Sequence, residues 1–177
     1  MNDYTRRRFL ATSAAAATAP LLAASPALAL ARSLVDKVVA EINRVIASGK
    51  PLGSMISDFE RIFRTYADVN IIAQSTLGAD ARRASPAQLR AYTDAFRGYV
   101  ARKYGKRFKE FQGGEITVRD VRRVKSWHEV NSTVKLRGQS PFEVKFLVSD
   151  KSGRDLFFDM VIEGISLRLS ERTEIGS

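Results

Sequence analysis

The strongest constraint on this chain is a change of hydrophobic period at Gly113-Gly114. Before it, apolar residues recur every three to four positions, the spacing of one helical face. After it they recur every second position, the spacing of a half-buried strand. Phe142, Val144, Phe146 and Val148 alternate with Glu143, Lys145 and Leu147. Helices followed by strands, with no αβ alternation, predict an α+β fold with an antiparallel meander.

The helical half divides at its own start and stop signals. Val35, Val38, Val39, Ile42, Val45 and Ile46 predict a helix over 33–48, which Ser33 can cap and Gly49 and Pro51 end. A second is predicted over 54–66, with Ile56, Phe59, Ile62, Phe63 and Tyr66 on one side. Asp68 can cap a third, Val69 to Leu77, before Gly78. Ser85-Pro86-Ala87-Gln88 is a capping box with Pro at the first helical position. It opens a long predicted helix, 86–111, whose aromatic stripe includes Tyr92, Phe96, Tyr99, Tyr104, Phe108 and Phe111. Gly98 and Gly105 interrupt that helix and predict a bend or a close approach by another group. A strand is predicted to begin at Ile116-Thr117-Val118, with further strands at Trp127–Leu136, Phe142–Val148 and Leu156–Ile162, and a last one carrying Ile165, Leu167 and Leu169. Turns are predicted at Arg137–Ser140 and Asp150–Gly153.

Residues 1–29 read as an export leader. Arg6, Arg7 and Arg8 precede an Ala-rich apolar stretch, and Ala27-Leu28-Ala29 fits a small-x-small cleavage site. Thr5-Arg6-Arg7-Arg8-Phe9-Leu10 matches a twin-arginine signal. The apolar stretch is short for a membrane span. Without the leader's three Arg and one Asp, 26 basic and 18 acidic side chains remain, a net charge of +8. Residues 30–177 are then expected to form one basic domain outside the cytoplasm, large enough to bury a full core.

Catalytic chemistry has little to build on. With no Cys and one His there is no thiolate nucleophile, Cys-ligated metal or multi-His site. No nucleotide loop, nucleophile elbow or zinc-protease motif occurs. Asp155, Asp159 and Glu163 recur at four-residue spacing, and Asp159 with His128 is the one dyad available to an enzyme. A solvated sheet face opposite Phe158, Met160 and Ile162 is the favoured reading of the carboxylates, and a structural or solvated side chain that of His128. Ten basic residues lie between Arg97 and Lys125, opposed by Glu110, Glu115 and Asp120. Such a patch suits an anionic lipid or an acidic protein surface, and a solvated helix face with no partner explains it as well; export argues against nucleic acid. The aromatic stripe reads either as packed core or as the wall of an apolar cavity.

Four stretches resemble the MlaC, or toluene-tolerance auxiliary, family of periplasmic phospholipid-binding proteins. They are Phe59-Glu60-Arg61-Ile62-Phe63 with Tyr66-Ala67-Asp68, and Leu77-Gly78 followed by Ala84-Ser85-Pro86-Ala87-Gln88. The others are Ala95-Phe96-Arg97-Gly98-Tyr99 leading to Lys103-Tyr104-Gly105, and Phe158-Asp159-Met160-Val161-Ile162-Glu163-Gly164-Ile165-Ser166. The resemblance spans about residues 33–175. Gly98 stands where members commonly carry a longer polar residue. Members usually continue past the segment matching Glu174-Ile175-Gly176 into a C-terminal helix.

The resemblance implies an NTF2-like fold, with helices packed over a curved sheet around a deep apolar pocket. It implies a carrier of glycerophospholipids, not an enzyme, needing no cofactor or metal. Its partners would be an inner-membrane ABC transporter with an MCE-domain subunit and an outer-membrane lipoprotein–porin complex, and its role the maintenance of outer-membrane asymmetry. We expect a periplasmic monomer. The expected pocket wall takes Phe63, Tyr66, Phe96, Tyr99, Val100 and Tyr104 from the helices. From the strands it takes Val134, Phe142, Val144, Phe146, Phe158, Met160 and Ile162. Phe96, Tyr99 and Val100 are expected to face Val144, Phe146 and Met160. Arg102, Lys106 and Lys109 are the expected partner or head-group surface. The rival expectations are a small exported NTF2-like enzyme and an interaction module with a filled core.

Overall fold

The computed structural model describes residues 25–176. The predicted leader lies outside the described residues except for its last five. Three helices come first, α1 (Pro26–Ala47), α2 (Leu52–Tyr66) and α3 (Val69–Leu77), then a 3-10 turn and α4 (Pro86–Gly105). The strands are β1 (Glu115–Val124), β2 (Trp127–Lys135), β3 (Phe142–Ser149), β4 (Leu156–Ile162) and the two-residue β5 (Ile165–Ser166), followed by α5 (Leu167–Ile175). The sheet is an antiparallel meander in the order β1-β2-β3-β4-β5. Fold class is therefore as the period change predicts: helices packed on one curved, antiparallel, open sheet.

Val130 on β2, Phe146 on β3 and Met160 on β4 stand side by side across the sheet. Residues two apart share a face, so Val134, Val144 and Ile162 join them on the inner surface. Irregular register between Val118 and Val121, and between Leu147 and Val148, adds local twist. α1 crosses this face. Its Asn43 amide donates to the Ile116 carbonyl (3.0 Å) and accepts from the Ile116 N–H (3.1 Å), fastening the helix to the edge strand. At the far edge, the Asp68 N–H donates to the Phe157 carbonyl (2.8 Å), so the α2–α3 junction covers part of β4.

The caps are those the sequence predicts for α3 and α4. The Asp68 carboxylate accepts from the Ile71 N–H (3.2 Å), and Ser85 and Gln88 form a reciprocal capping box. Three expectations need correction. α1 starts seven residues before Ser33, and its cap is Ser25, whose hydroxyl accepts from the Leu28 N–H. The long helix ends at Gly105 and continues only as a 3-10 turn, Lys106–Lys109. A Cβ at Gly105 would lie 3.0 Å from Ile56 Cγ1 and 3.2 Å from Ile56 Cα, so this glycine permits the contact between α4 and α2. The last predicted strand is mostly helix. Leu167 and Glu171, four apart, form the buried face of α5, and a carboxylate at the second position hid the helical period.

Candidate functional site

Between the helices and the inner face of the sheet lies a cavity of about 360 Å³. α1 contributes Val38, Ile42 and Ile46; α2 contributes Phe59, Ile62 and Phe63. The floor is Val134, Leu136, Phe142, Val144, Phe146, Phe157, Met160 and Ile162 from β2 to β4 and the segment after β2. Tyr104, Phe108, Phe111 and Ile116 close the sides. Phe108 meets Phe59 edge-on at 5.1 Å, and Phe146 meets Phe157 at 5.6 Å, so rings brace both walls.

Polar groups gather at one end. Arg107, Glu110, Gln139, Ser140 and Glu163, all exposed, form the rim. They come from the 3-10 turn after α4, the β2–β3 turn and the β4–β5 turn. Arg107 and Glu110 pair at 3.4 Å. An apolar interior with a wet, charged mouth can hold an elongated apolar group and leave a polar terminus in water.

The structure brings eight of the predicted pocket residues to this cavity: Phe63, Tyr104, Val134, Phe142, Val144, Phe146, Met160 and Ile162. Five lie elsewhere. Phe96 and Val100 are buried where α4 packs against α2 and α3, and Phe96 stands between Tyr92 and Tyr99 at 6.1 and 6.4 Å. They do not meet Val144, Phe146 and Met160 across the cavity, because α1 occupies the place over the sheet expected for α4. The Tyr99 hydroxyl reaches Glu174 (3.3 Å). Tyr66 donates to Glu41 on α1 (2.5 Å), which also pairs with Arg61 at 2.6 Å. Phe158, at the register shift in β4, packs against Trp127 and under Arg168. Val38, Ile42 and Ile46 were missed as lining residues, although their i, i+4, i+8 spacing marks the face that supplies them.

Behind the Tyr104 side of the wall lies a buried carboxylate. Glu171 on α5 is fully buried; its Oε1 accepts from Tyr104 (2.5 Å) and from Lys103 Nζ (2.8 Å), while Oε2 is unpartnered. Lys103 also reaches Glu174 at 2.6 Å. Burial disfavours the Lys103 charge, but the hydrogen bonds to Glu171, Glu174 and Tyr99 outweigh it and raise the pKa above the usual lysine value. Burial, then the bond to Glu171, pushes the Tyr104 phenol well above the usual tyrosine value.

The three spaced carboxylates do separate jobs. Asp159, 3% exposed, accepts from Ser166 Oγ (2.6 Å) and from the Met160 and Arg168 N–H groups (2.9 and 3.1 Å). It thus fastens the start of α5. Asp155 precedes β4, and Glu163 sits in the β4–β5 turn at φ 49°. His128 lies on β2 opposite Val148, and no hydrogen bond joins it to Asp159 among the described residues. No group of three His, Asp or Glu among the described residues is placed to hold a metal ion.

The basic cluster is partly consumed internally. Arg97 pairs with Glu60 and Asp94, Lys103 with Glu171 and Glu174, and Arg122 with Glu129. Arg102, Lys106 and Lys109 are exposed on the ridge that carries Arg107, with no carboxylate partner among the described residues. No described helix is long and apolar enough to cross a membrane.

Fold and site together define a class of small α+β domain, in which helices and one face of an antiparallel meander enclose an apolar cavity with a polar mouth. The chain belongs to the MlaC family, whose family model, described as MlaC protein, matches residues 32–177. No curated protein matches it. Among solved structures it is similar to a phospholipid-binding protein from Ralstonia solanacearum determined in complex with a phospholipid. The TM-score is 0.67 at 20% identity, covering 85% of each chain.

Proposed function

We propose that this protein is a periplasmic carrier that holds the acyl chains of a glycerophospholipid in the apolar cavity and leaves the head group at the polar rim. The observation that carries the reading is the distribution of polarity: the cavity walls are aliphatic and aromatic, and the charged lining groups collect at one end. Membership of the MlaC family and likeness of fold to a protein solved with a bound phospholipid support it. Burying each CH₂ is worth about 0.8 kcal/mol. A lipid with two chains of about sixteen carbons therefore faces on the order of 20 kcal/mol against crossing water unaided. A carrier removes that barrier with a dry cavity and needs no nucleophile, cofactor or metal.

In this reading the protein is exported as a folded monomer on its twin-arginine leader. It exchanges lipid with an inner-membrane ABC transporter bearing an MCE-domain subunit and with an outer-membrane lipoprotein–porin complex. Arg102, Lys106 and Lys109 steer it to acidic surfaces on those partners. Native mass spectrometry of the purified protein tests the proposal. A co-purifying phospholipid, lost on delipidation and regained from vesicles, is expected. A protein that carries none and takes none from vesicles would overturn it.

A further inference from the structure

At the end of the sheet opposite the mouth lies a small cleft of about 110 Å³. In an antiparallel meander alternate turns fall at opposite ends. The mouth takes groups from the β2–β3 and β4–β5 turns; the cleft takes Trp127 beside the β1–β2 turn and Lys151 in the β3–β4 turn. Phe158, Ile71 and Arg168 also line it. We infer that this cleft captures the C-terminal residue of a partner protein, seating its apolar side chain against the two rings and pairing its α-carboxylate with Lys151 and Arg168. A partner held at this end leaves the mouth free, so the inference stands apart from the carrier reading.

The chemistry of the lining sets the class of ligand. No carboxylate lines the cleft; Asp150 precedes Lys151 in the turn but is not part of the lining. Lys151 is exposed, with no carboxylate partner among the described residues. Arg168 is fixed in place: its backbone N–H donates to Asp159 at 3.1 Å, and its guanidinium lies over the Phe158 ring at 5.5 Å. Asp159 approaches that guanidinium only to 3.8 Å, beyond hydrogen-bond length, because its oxygens already accept from Ser166 and two backbone N–H groups. The planar fork of Arg168 is thus unspent and suits a carboxylate. Trp127 meets Phe158 edge-on at 6.1 Å, and both rings are half-buried, so they offer a fixed apolar wall. Two cations beside two rings fit an anion that carries an apolar group.

Size then selects what carries the carboxylate. The cleft, at about 110 Å³, lies well below the roughly 300 Å³ at which pockets for drug-sized ligands begin, so it admits a single side chain. Charge and apolar group must therefore arrive on one residue. A C-terminal residue brings both, its side chain and its α-carboxylate leaving the same Cα. An Asp or Glu within a chain carries its charge at the tip that would enter the apolar part.

Trp127 is the one tryptophan of the chain, so its fluorescence reports on this cleft. The purified protein is titrated with N-acetyl-leucine, N-acetyl-leucine amide, acetate and the α-amide of N-acetyl-glutamate. N-acetyl-leucine is expected to shift the Trp127 emission saturably at about millimolar concentration, the affinity that one buried side chain and a partly solvated ion contact support. The leucine amide lacks the charge and acetate lacks the side chain, so each is expected to bind at least about tenfold more weakly. Lys151→Gln, at an exposed turn position, is expected to weaken N-acetyl-leucine about threefold while melting temperature and bound lipid hold. Adding Arg168→Gln is expected to bring the loss to about tenfold. No saturable shift, an amide that binds as tightly as the acid, or a Lys151→Gln protein that binds like wild type overturns the inference. Tighter binding of the glutamate α-amide would assign the cleft to acidic side chains and overturn the C-terminal assignment. Lipid content by mass spectrometry, on which the carrier reading depends, is unaffected by any of these results.

Discussion

The hydroxyl of Tyr104, whose ring lines the cavity, is hydrogen bonded at 2.5 Å to Glu171, a carboxylate with no exposed surface on the C-terminal helix. Lys103 completes the triangle at 2.8 Å from the same oxygen. The cavity wall and α5 are therefore one mechanical unit. Glu171→Ala leaves the half-buried Tyr104 hydroxyl without its acceptor, takes from Lys103 the buried one of its two carboxylates while Glu174 remains, and opens a void at a fully buried position, so it is expected to cost about 2–3 kcal/mol, read from denaturant or thermal unfolding. Tyr104→Phe removes one hydrogen bond and keeps the ring, so it should cost about 1 kcal/mol and leave bound lipid unchanged. Equal effects of the two changes would contradict this account of the network.

Val144 and Val100 separate cavity from core. Val144 faces the cavity, whereas Val100 is fully buried in the packing of α4. Val144→Trp should fill ligand volume, lowering lipid content by mass spectrometry with little change in melting temperature. Val100→Trp should overpack, costing about 1–3 kcal/mol while bound lipid persists. The reverse pattern would remove the cavity assignment.

Gly98 and Gly105 lie on the same helix yet should respond oppositely to alanine. At Gly98 the nearest atom to a new Cβ is the mobile Arg102 guanidinium at 3.1 Å, so helix propensity should win and stabilise by up to about 1 kcal/mol. At Gly105 the new Cβ meets the Ile56 backbone at 3.2 Å, which cannot step aside. We expect Gly105→Ala to destabilise by about 1–2 kcal/mol, with differential scanning calorimetry giving the sign for each.

Acid should loosen the contact between α1 and α2. The hydrogen bond from Tyr66 is the largest influence on Glu41; burial opposes it, and Arg61 and Arg44 add to it, so the carboxyl is held below its ordinary value of 4.5. The ionised form is the one folding favours. Its contribution is fully present above pH 4.5 and disappears as pH falls through the lower folded value. Wild type should therefore lose stability on acidification more steeply than Glu41→Gln, and parallel melting curves across pH 6 to about 3 would refute the linkage.

Arg102, Lys106 and Lys109 should matter for rate and not for fold. Reversing all three to Glu removes no ion pair among the described residues, so the melting temperature should move little. Association with an isolated membrane complex should slow about tenfold at low salt and lose most of its salt dependence. Unchanged association would leave these residues as a solvated ridge.

Local signals in the chain were sufficient for most of the elements. The period change at Gly113-Gly114, the Ser85–Gln88 capping box and the Asp68 cap all act within a few residues, so they determine helix and strand wherever the chain lies. The α5 assignment failed for a related reason: Glu171 breaks the hydrophobic pattern at a helical core position. Its burial is made tolerable by Lys103 and Tyr104, 68 and 67 residues away in sequence. The aromatic stripe of α4 was visible as a stripe, but periodicity states only that a face is buried, not against what. Tertiary packing put α1 over the sheet and turned Phe96 and Val100 toward α2 and α3. It also left Phe63, Val144, Phe146 and Met160 around unfilled space. A cavity is a difference between the volume that the backbone frame encloses and the volume that side chains fill, and residues far apart in the chain set both. The sequence alone therefore determined an α+β chain with an apolar interior and a basic surface; only the assembled helices and sheet decided which apolar side chains pack and which line a void.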